Sequence, residues 1–418
     1  MIVCSIWLLP GTLYFGVAVI LGVWNLYILF LNCLLCIYCL DGKGVKSLMK
    51  RELSKLADVL VNHSTKVQPG DHVLIQSVTE IDPAVVREII KSVEKAGGYA
   101  HVSMRDVSVT RQLILSGSEE QFKLFADWEC YRLSKMQVYI NLRSPRNAYE
   151  LADIPSEKMK LYQKIFGKAH SEAVYKTRWV TTRIPNAASA QEANMSTEAY
   201  EKFYYDVCTL DYNKMSKAMN PLKELMEKTK QVRIIGEGTD LKFSIEGIGV
   251  LKGDGTDNIP DGEVYTAPVK DSVNGVITFN TVSVQQGYAF QNIKLHMKQG
   301  KIIDAYANDT ERMNRILDTD EGARYIGEFA LAFNPYILHP MNNTLFDEKI
   351  NGSFHLAIGD SLQGADNGNK SAIHWDLVNI QRPEYGGGEV WFDDVLIRKD
   401  GRFILQELFG LNEENLKR

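Results

Sequence analysis

Residues 1–40 contain no Asp, Glu, Lys, Arg or His, and every charge in the 418-residue chain lies beyond them. The chain is therefore two materials joined near Asp41. Thr12 to Leu31 is a largely apolar, uncharged run about as long as a helix that crosses roughly 30 Å of hydrocarbon at ~1.5 Å per residue. Lys43, Lys46, Lys50, Arg51 and Lys55 follow it, and a cationic flank there favours leaving the body in the cytoplasm, so the run reads as a signal anchor at most. A cleavable secretory signal would want a charged start and a shorter apolar core. The other reading makes residues 1–48 an extension upstream of a soluble protein that starts at Met49, and nothing in the body needs a membrane.

That body can bury a core. With 45% hydrophobic and 24% charged residues, the chain has the composition of one large or two ordinary globular domains. Forty-seven basic against 52 acidic residues give a net charge of -5, which offers no field for a phosphate backbone and argues against a nucleic-acid partner. Only Cys130 and Cys208 lie in the body, so no disulfide framework is expected and a reducing, cytoplasmic compartment is the default. The CLLCIYC spacing at Cys33, Cys36 and Cys39 lacks polar neighbours and is assigned no function.

From Met49 to about 231, strand-like and helix-like segments alternate. His72 to Val78, Ala100 to Met104 and Val138 to Leu142 read as strands, and Asp82 to Ala96, Glu119 to Met136 and Ser156 to Tyr175 as helices, which predicts an α/β domain with a largely parallel sheet. No G-x-G-x-x-G follows the first strand, so no dinucleotide site is expected. Beyond Val232 short strands and Gly-rich turns predict a second, mostly β (α+β) domain over 232–418. Its expected strands are 233–235, 241–245, 276–280, 287–295 and 389–397, interrupted by one helix from Glu321 to Phe333.

The second domain concentrates the chemistry. His374 and Asp376 are two apart, so on an extended strand they share a face and can grip one site. Alone, such a pair is as easily a surface hydrogen bond. Glu348 precedes His355 by a short loop, Glu263 follows a turn at Asp261-Gly262, and Glu328 sits among Tyr325, Ile326, Phe329, Ala330 and Leu331. A carboxylate flanked by apolar residues needs a partner, and a cation is a good one. Three Glu, one Asp and two His supply enough ligands for two divalent cations, zinc, cobalt or manganese, with one carboxylate free to bridge. Two adjacent metals are a hydrolytic device, and the absence of thiolates argues against a structural zinc knot. Gly236-Glu237-Gly238-Thr239 lacks the Lys of a phosphate loop and reads as a β-turn, His296 and His339 read as surface or packed histidines, and no G-x-S-x-G elbow occurs.

Five blocks in one order, GEGTDLKFSIEG (236–247), IPDGEVYTAPVKDSVNGVITFNT (259–281), DEGARYIGEFALAFNP (320–335), NNTLFDEKINGSFHLAIG (342–359) and NGNKSAIHWDLV (367–378), closely resemble the thermophilic-type metallo-aminopeptidase (aminopeptidase T and S) family. The resemblance extends from Met49 to the end. It implies metal ligands at Glu263, Glu328, Glu348, His355, His374 and Asp376, with Glu328 bridging and serving as the first catalytic residue. It also implies a homodimer whose N-terminal domains enclose the site and restrict it to short peptides.

Two departures stand out. Glu348 to His355 is i to i+7, longer than in many relatives, and the position of the family's active-site tyrosine, seven residues after that histidine, holds Leu362. Tyr385 could compensate, although beside Gly386, Gly387 and Gly388 it reads rather as a turn residue. The expected function is a metal-dependent aminopeptidase of short peptides. The alternatives are a metal-binding homologue that has lost catalysis and acts as a binding or scaffold protein, and a peptidase tethered to a membrane by residues 12–31.

Overall fold

Strand His72–Val78 is buried along five of its seven residues, the signature of a strand covered on both faces, and in the computed structural model it sits inside a five-stranded parallel sheet. The structure describes residues 50–147 and 149–417. The apolar run 12–31 and the cysteines at 4, 33, 36 and 39 lie outside them. Among the described residues no helix is long and apolar enough to cross a membrane.

The parallel sheet runs, edge to edge, Tyr99–Arg105, His72–Val78, Val138–Arg143, Arg178–Arg183 and Asn258–Ile259. Helices connect successive strands, as parallel pairing demands. Pro83–Lys95 starts where the Asp82 side chain accepts from the Ala84 N–H and stops before Gly97, whose φ of +83° a side chain would resist. Asp106 and Ser118 cap the helices Val107–Ser116 and Glu119–Leu133 in the same way. The strands and helices expected before residue 232 form close to their expected bounds. The stretch 156–174 contains one π-helical turn, Gln163–Gly167, between Ser156–Tyr162 and Lys168–Val174.

After the helix Tyr212–Lys228 the pairing becomes antiparallel. An eight-stranded sheet is ordered Lys301–Tyr306, Lys294–Lys298, Asn274–Thr278, Thr239–Ser244, Gln231–Gly236, Glu389–Phe392, Val395–Lys399 and Arg402–Phe403. A five-stranded sheet runs His374–Ile380, Ser353–Gly359, Ile326–Ala332, Glu263–Thr266 and Leu251–Gly253. Gly238, at φ +65°, turns the hairpin between Gln231–Gly236 and Thr239–Ser244, as the turn reading of that stretch expects.

Three expectations are corrected. The helix expected from Glu321 to Phe333 is a 3-10 turn, Glu321–Arg324, followed by the strand Ile326–Ala332. All seven residues of that strand are buried, so apolar side chains point both ways and no alternation survives to separate it from a buried helix. The strand expected over 287–295 is two, Tyr288–Phe290 and Lys294–Lys298, broken by Asn292 at φ +53°. That expected over 389–397 is a hairpin turning at Asp393 and Asp394, both with positive φ.

Candidate metal centre

Every side chain singled out for metal binding is presented by the five-stranded antiparallel sheet or by the turn feeding it. Glu263 begins one strand and pairs with Ala332, while Glu328 pairs with Ala357, which in turn pairs with Asp376. Ala330 pairs with His355, and Gly359 with His374. Because side chains alternate with a period of two, Glu328, His355, His374 and Asp376 all project from one face. The residues between them on that face, Ala330, Ala332 and Ala357, are small and leave room above the sheet. Glu348 arrives from outside the sheet, at the C-cap of the short helix Thr344–Asp347.

The six side chains meet in three overlapping groups, Glu263 with Glu328 and His355, Glu328 with His374 and Asp376, and Glu348 with His355 and Asp376, the donor atoms in each lying within 4.8 Å of one another. Glu328 belongs to two groups and reaches both histidines, with Oε1 3.4 Å from His355 Nε2 and Oε2 3.2 Å from His374 Nε2. His374 Nε2 is 3.4 Å from Asp376 Oδ1. These separations lie at or beyond the long end of hydrogen bonding. They match the spacing of about 3.3 Å between neighbouring ligands that sit 2.0–2.1 Å from a tetrahedral ion.

Both rings are oriented from behind. His355 Nδ1 lies 3.2 Å from the carbonyl oxygen of Glu348, and His374 Nδ1 2.8 Å from that of Asp360. A carbonyl only accepts, so each Nδ1 carries the hydrogen and each Nε2 is left facing the cluster, the tautomer a metal needs. Asp376 is steadied through its backbone, because the Ser283 hydroxyl donates to its carbonyl and in turn accepts from Trp375 Nε1. Glu263 Oε2, His355 Nε2 and Asp376 Oδ1 are buried without a hydrogen-bond partner. These oxygen and nitrogen atoms, with no sulfur among them, fit a divalent cation of the zinc, cobalt or manganese type.

The buried charges of the cluster act strongly on one another. Burial works against a charged ring, yet Glu263, Glu328 and Asp376 outweigh it and carry His355 up to about 10. Asp376 and Glu328 carry His374 up to about 12 against the same opposition. Burial would raise Glu328, but the two histidines hold it well below the carboxylate range, and they lower Asp376 likewise.

Three residues that sequence reasoning missed complete the site. Lys349 is buried at 1% exposure with Nζ 3.0 Å from Glu263 Oε1, and it also pairs with Glu348 and, at 3.9 Å, with Asp261. Asp261 accepts from the Gly255 and Gly262 N–H groups. Tyr265 follows Glu263 by two residues and pairs with Ala330 opposite His355, so it stands on the metal-facing side. Burial and then the charges of Glu328 and Glu263 push its phenol well above the usual tyrosine range. A signal existed for Lys349, which adjoins Glu348, but only the fold brings Glu263 to it.

Other candidates fall elsewhere. Tyr385 spends its hydroxyl on His339 Nδ1 at 3.0 Å and its ring on Arg382, in the turn Pro383–Tyr385. His296 faces Asp304 across a strand pair. Leu362 lies in the loop after Ser353–Gly359.

One member of the cluster borders a cavity. Asp376 lines a small opening that shares Val282, Asn342 and Thr344 with a cavity of about 1400 Å³. Arg143 and Arg183, the last residues of two parallel strands, line the same cavity. The next strand of that sheet, Asn258–Ile259, runs on within four residues to Glu263, so the carboxyl ends of the parallel strands border the metal-binding face.

A profile of the thermophilic metalloprotease family (M29) matches residues 49–403. Aminopeptidase AmpS of Bacillus subtilis (strain 168) is 27% identical over 367 residues, covering 78% of this chain and 88% of its own length. Aminopeptidase T of Thermus thermophilus is 24% identical over 381 residues, 79% of this chain and 92% of that one. Among solved structures, wild-type AmpT from Thermus thermophilus superposes with a TM-score of 0.73 at 21% identity, covering 85% of this chain and all of that one. The fold is also shared, at a TM-score of 0.59 and 12% identity over 86% of this chain and 99% of the other, by 2,5-dihydroxypyridine dioxygenase from Pseudomonas putida KT2440, so architecture alone does not choose the reaction. The family match over most of the chain does: this chain belongs to the thermophilic metalloprotease (M29) family and is a hydrolase of the metallopeptidase class.

Proposed function

We propose that the chain is an aminopeptidase that removes the N-terminal residue from short peptides, with two divalent cations held by Glu263, Glu328, Glu348, His355, His374 and Asp376. The observation that carries this reading is the set of orphaned buried atoms, Glu263 Oε2, His355 Nε2 and Asp376 Oδ1, gathered around Glu328. Each such orphan costs about 1–3 kcal/mol, and three that converge are explained together by a cation.

When bound, cations of this kind polarise a carbonyl and acidify a water. Glu328, an ionised carboxylate reaching both histidines, is placed to accept the attacking water's proton and to return it to the leaving amine. Glu263, Glu348, His355, His374 and Asp376 fix the ions, and the Nδ1 hydrogen bonds of the two histidines keep their rings from turning. Tyr265 is the hydroxyl donor for the developing oxyanion, a role that Leu362 cannot fill. The cleft of about 1400 Å³ receives the peptide. In this reading residues 232–418 form the metal-binding domain, and both it and the N-terminal domain 49–231 contribute residues to the wall of the cleft. The same reading takes the protein to be a cytoplasmic homodimer.

The test is release of the N-terminal residue from a panel of short peptides by residues 49–418, after chelation and after adding back zinc, cobalt or manganese. Metal-dependent trimming that Glu328→Gln abolishes while the fold survives supports the proposal. Uptake of metal with no trimming of any peptide would overturn it in favour of a homologue that has kept the metals and lost the reaction.

A further inference from the structure

We infer that Lys349 is a resident cation that competes with the metal for Glu263 and Glu348, so that the two halves of the centre hold their ions with unequal affinity. The inference rests on the metal reading above and goes beyond it in assigning a role to a residue outside the ligand set.

Glu263 divides its two oxygens. Oε1 is 3.0 Å from the Lys349 ammonium, whereas Oε2 has no hydrogen-bond partner and lies 3.6 Å from His355 Nδ1. Glu348 likewise gives Oε1 to Lys349. An ammonium has three hydrogens, and three carboxylates, those of Asp261, Glu263 and Glu348, surround this one. Glu263 and Glu348 are within hydrogen-bond reach of it while Asp261, at 3.9 Å, adds only its charge, and at 1% exposure the lysine has no solvent to retreat into. Two of the three ligand groups contain a carboxylate that Lys349 already holds, and the third, Glu328 with His374 and Asp376, contains none.

The consequence follows from charge. A divalent ion entering beside Glu263 or Glu348 meets a fixed positive charge that also draws on the oxygens it needs, whereas an ion at Glu328, His374 and Asp376 takes donors free of that competitor. The lysine keeps each of the two glutamates to a single free oxygen. It also compensates the carboxylates when the neighbouring ion is absent, so the centre loads in two steps and its weaker ion exchanges without unfolding the sheet. Lys349 acts through the ligands and is a positioning residue.

The experiment is a calorimetric titration of the metal-stripped full chain with Zn²⁺ or Co²⁺, the visible bands of Co²⁺ reporting coordination. Wild-type protein should take up metal in one tight and one weaker step. Lys349→Met should tighten the weaker step by roughly tenfold or more, on the scale of outer-shell effects on metal affinity, and Lys349→Arg, which keeps the charge, should not. Asp261→Asn provides a second variant that leaves every proposed ligand in place. It concentrates Lys349 on Glu263 and Glu348 and should weaken the weaker step severalfold. Chelation should lower the melting temperature of Lys349→Met by more than that of wild type. Two steps of equal affinity in wild type, or unchanged or weakened metal binding in a folded Lys349→Met, would overturn the inference and leave the metal reading intact. Absence of any metal uptake by wild type would overturn both.

Discussion

Gly253→Ala tests whether the position of Glu263, rather than its presence alone, sets activity. Gly253 pairs with Glu263 across adjacent strands, and a Cβ added there would lie 2.4 Å from Asp261 Oδ1 and 2.8 Å from Glu263 Cγ. Carbon atoms in contact sit about 3.5–4.0 Å apart, so Glu263 must retreat by about 0.7–1.2 Å. A site of this kind tolerates about 0.5 Å before its geometry is lost, and a misplacement near 1 Å costs on the order of 10²-fold in rate. The overpacking itself should cost about 1–3 kcal/mol, a drop of a few degrees in melting temperature for a chain of this size. Turnover of a short peptide, metal content and thermal melting would be measured on the same preparation. A folded Gly253→Ala with wild-type turnover would refute the reasoning, because it would mean that Glu263 either does not need its present position or does not serve the reaction.

Other expectations follow from the same geometry. Tyr265→Phe should keep the fold and the metals and lose about 10²- to 10³-fold in kcat, whereas a loss of only a few-fold would place the oxyanion donor elsewhere. Chelation should lower the melting temperature measurably, since an ion at about 1,000 times its Kd contributes roughly 4 kcal/mol to the folded state, and scanning calorimetry with and without chelator reads this directly. Remote from the centre, Glu129 is raised by burial but held down to about 2 by His170, whose Nδ1 lies 3.5 Å away, and by the guanidiniums of Arg105 and Arg132. A depressed carboxylate stabilises fully above its unfolded value near 4.5 and loses that stabilisation as pH falls towards 2, a ceiling of about 3 kcal/mol that screening of the partly exposed Arg105 reduces. Urea denaturation of wild type and Glu129→Gln should therefore show a stability gap that narrows by up to about 2 kcal/mol between pH 7 and pH 3, and a constant gap would contradict it.

What the sequence made legible depended on how much of each signal is local. The His374 and Asp376 pairing could be read because two residues apart on a strand means one face, and the strand His374–Ile380 alternates its burial enough to look like one. The helices Pro83–Lys95 and Glu119–Leu133 announce themselves with Asp82 and Ser118 as caps. Asn258–Ile259 was out of reach, since two residues that close a parallel sheet carry no period at all. Lys349 was equally hidden: beside Glu348 in sequence it reads as an ordinary surface ion pair, and only strand pairing brings Glu263 to its other side. The assignment of 326–332 to a helix failed because burial on both faces erases the pattern that separates the two structures.

That misassignment bears on the chemistry, because strand and helix give Glu328 different neighbours. On a helix its side chain would stand beside residues three and four away, Arg324, Tyr325, Leu331 and Ala332, none of which binds metal. On the strand it stands in line with Ala357 and Asp376, in a ladder whose pairing fixes each ligand against the next. The pairing slips by one residue between Ile326 and Glu328. Gly327 permits this, since a Cβ there would lie 2.3 Å from the Asp360 carbonyl oxygen and 2.5 Å from that of Gly359. Without the irregularity, alternation would turn Glu328 to the opposite face of the sheet, away from both histidines. The glycine beside Glu328 is therefore as much a condition of the metal centre as the carboxylate itself, although it offers no donor atom to the cluster.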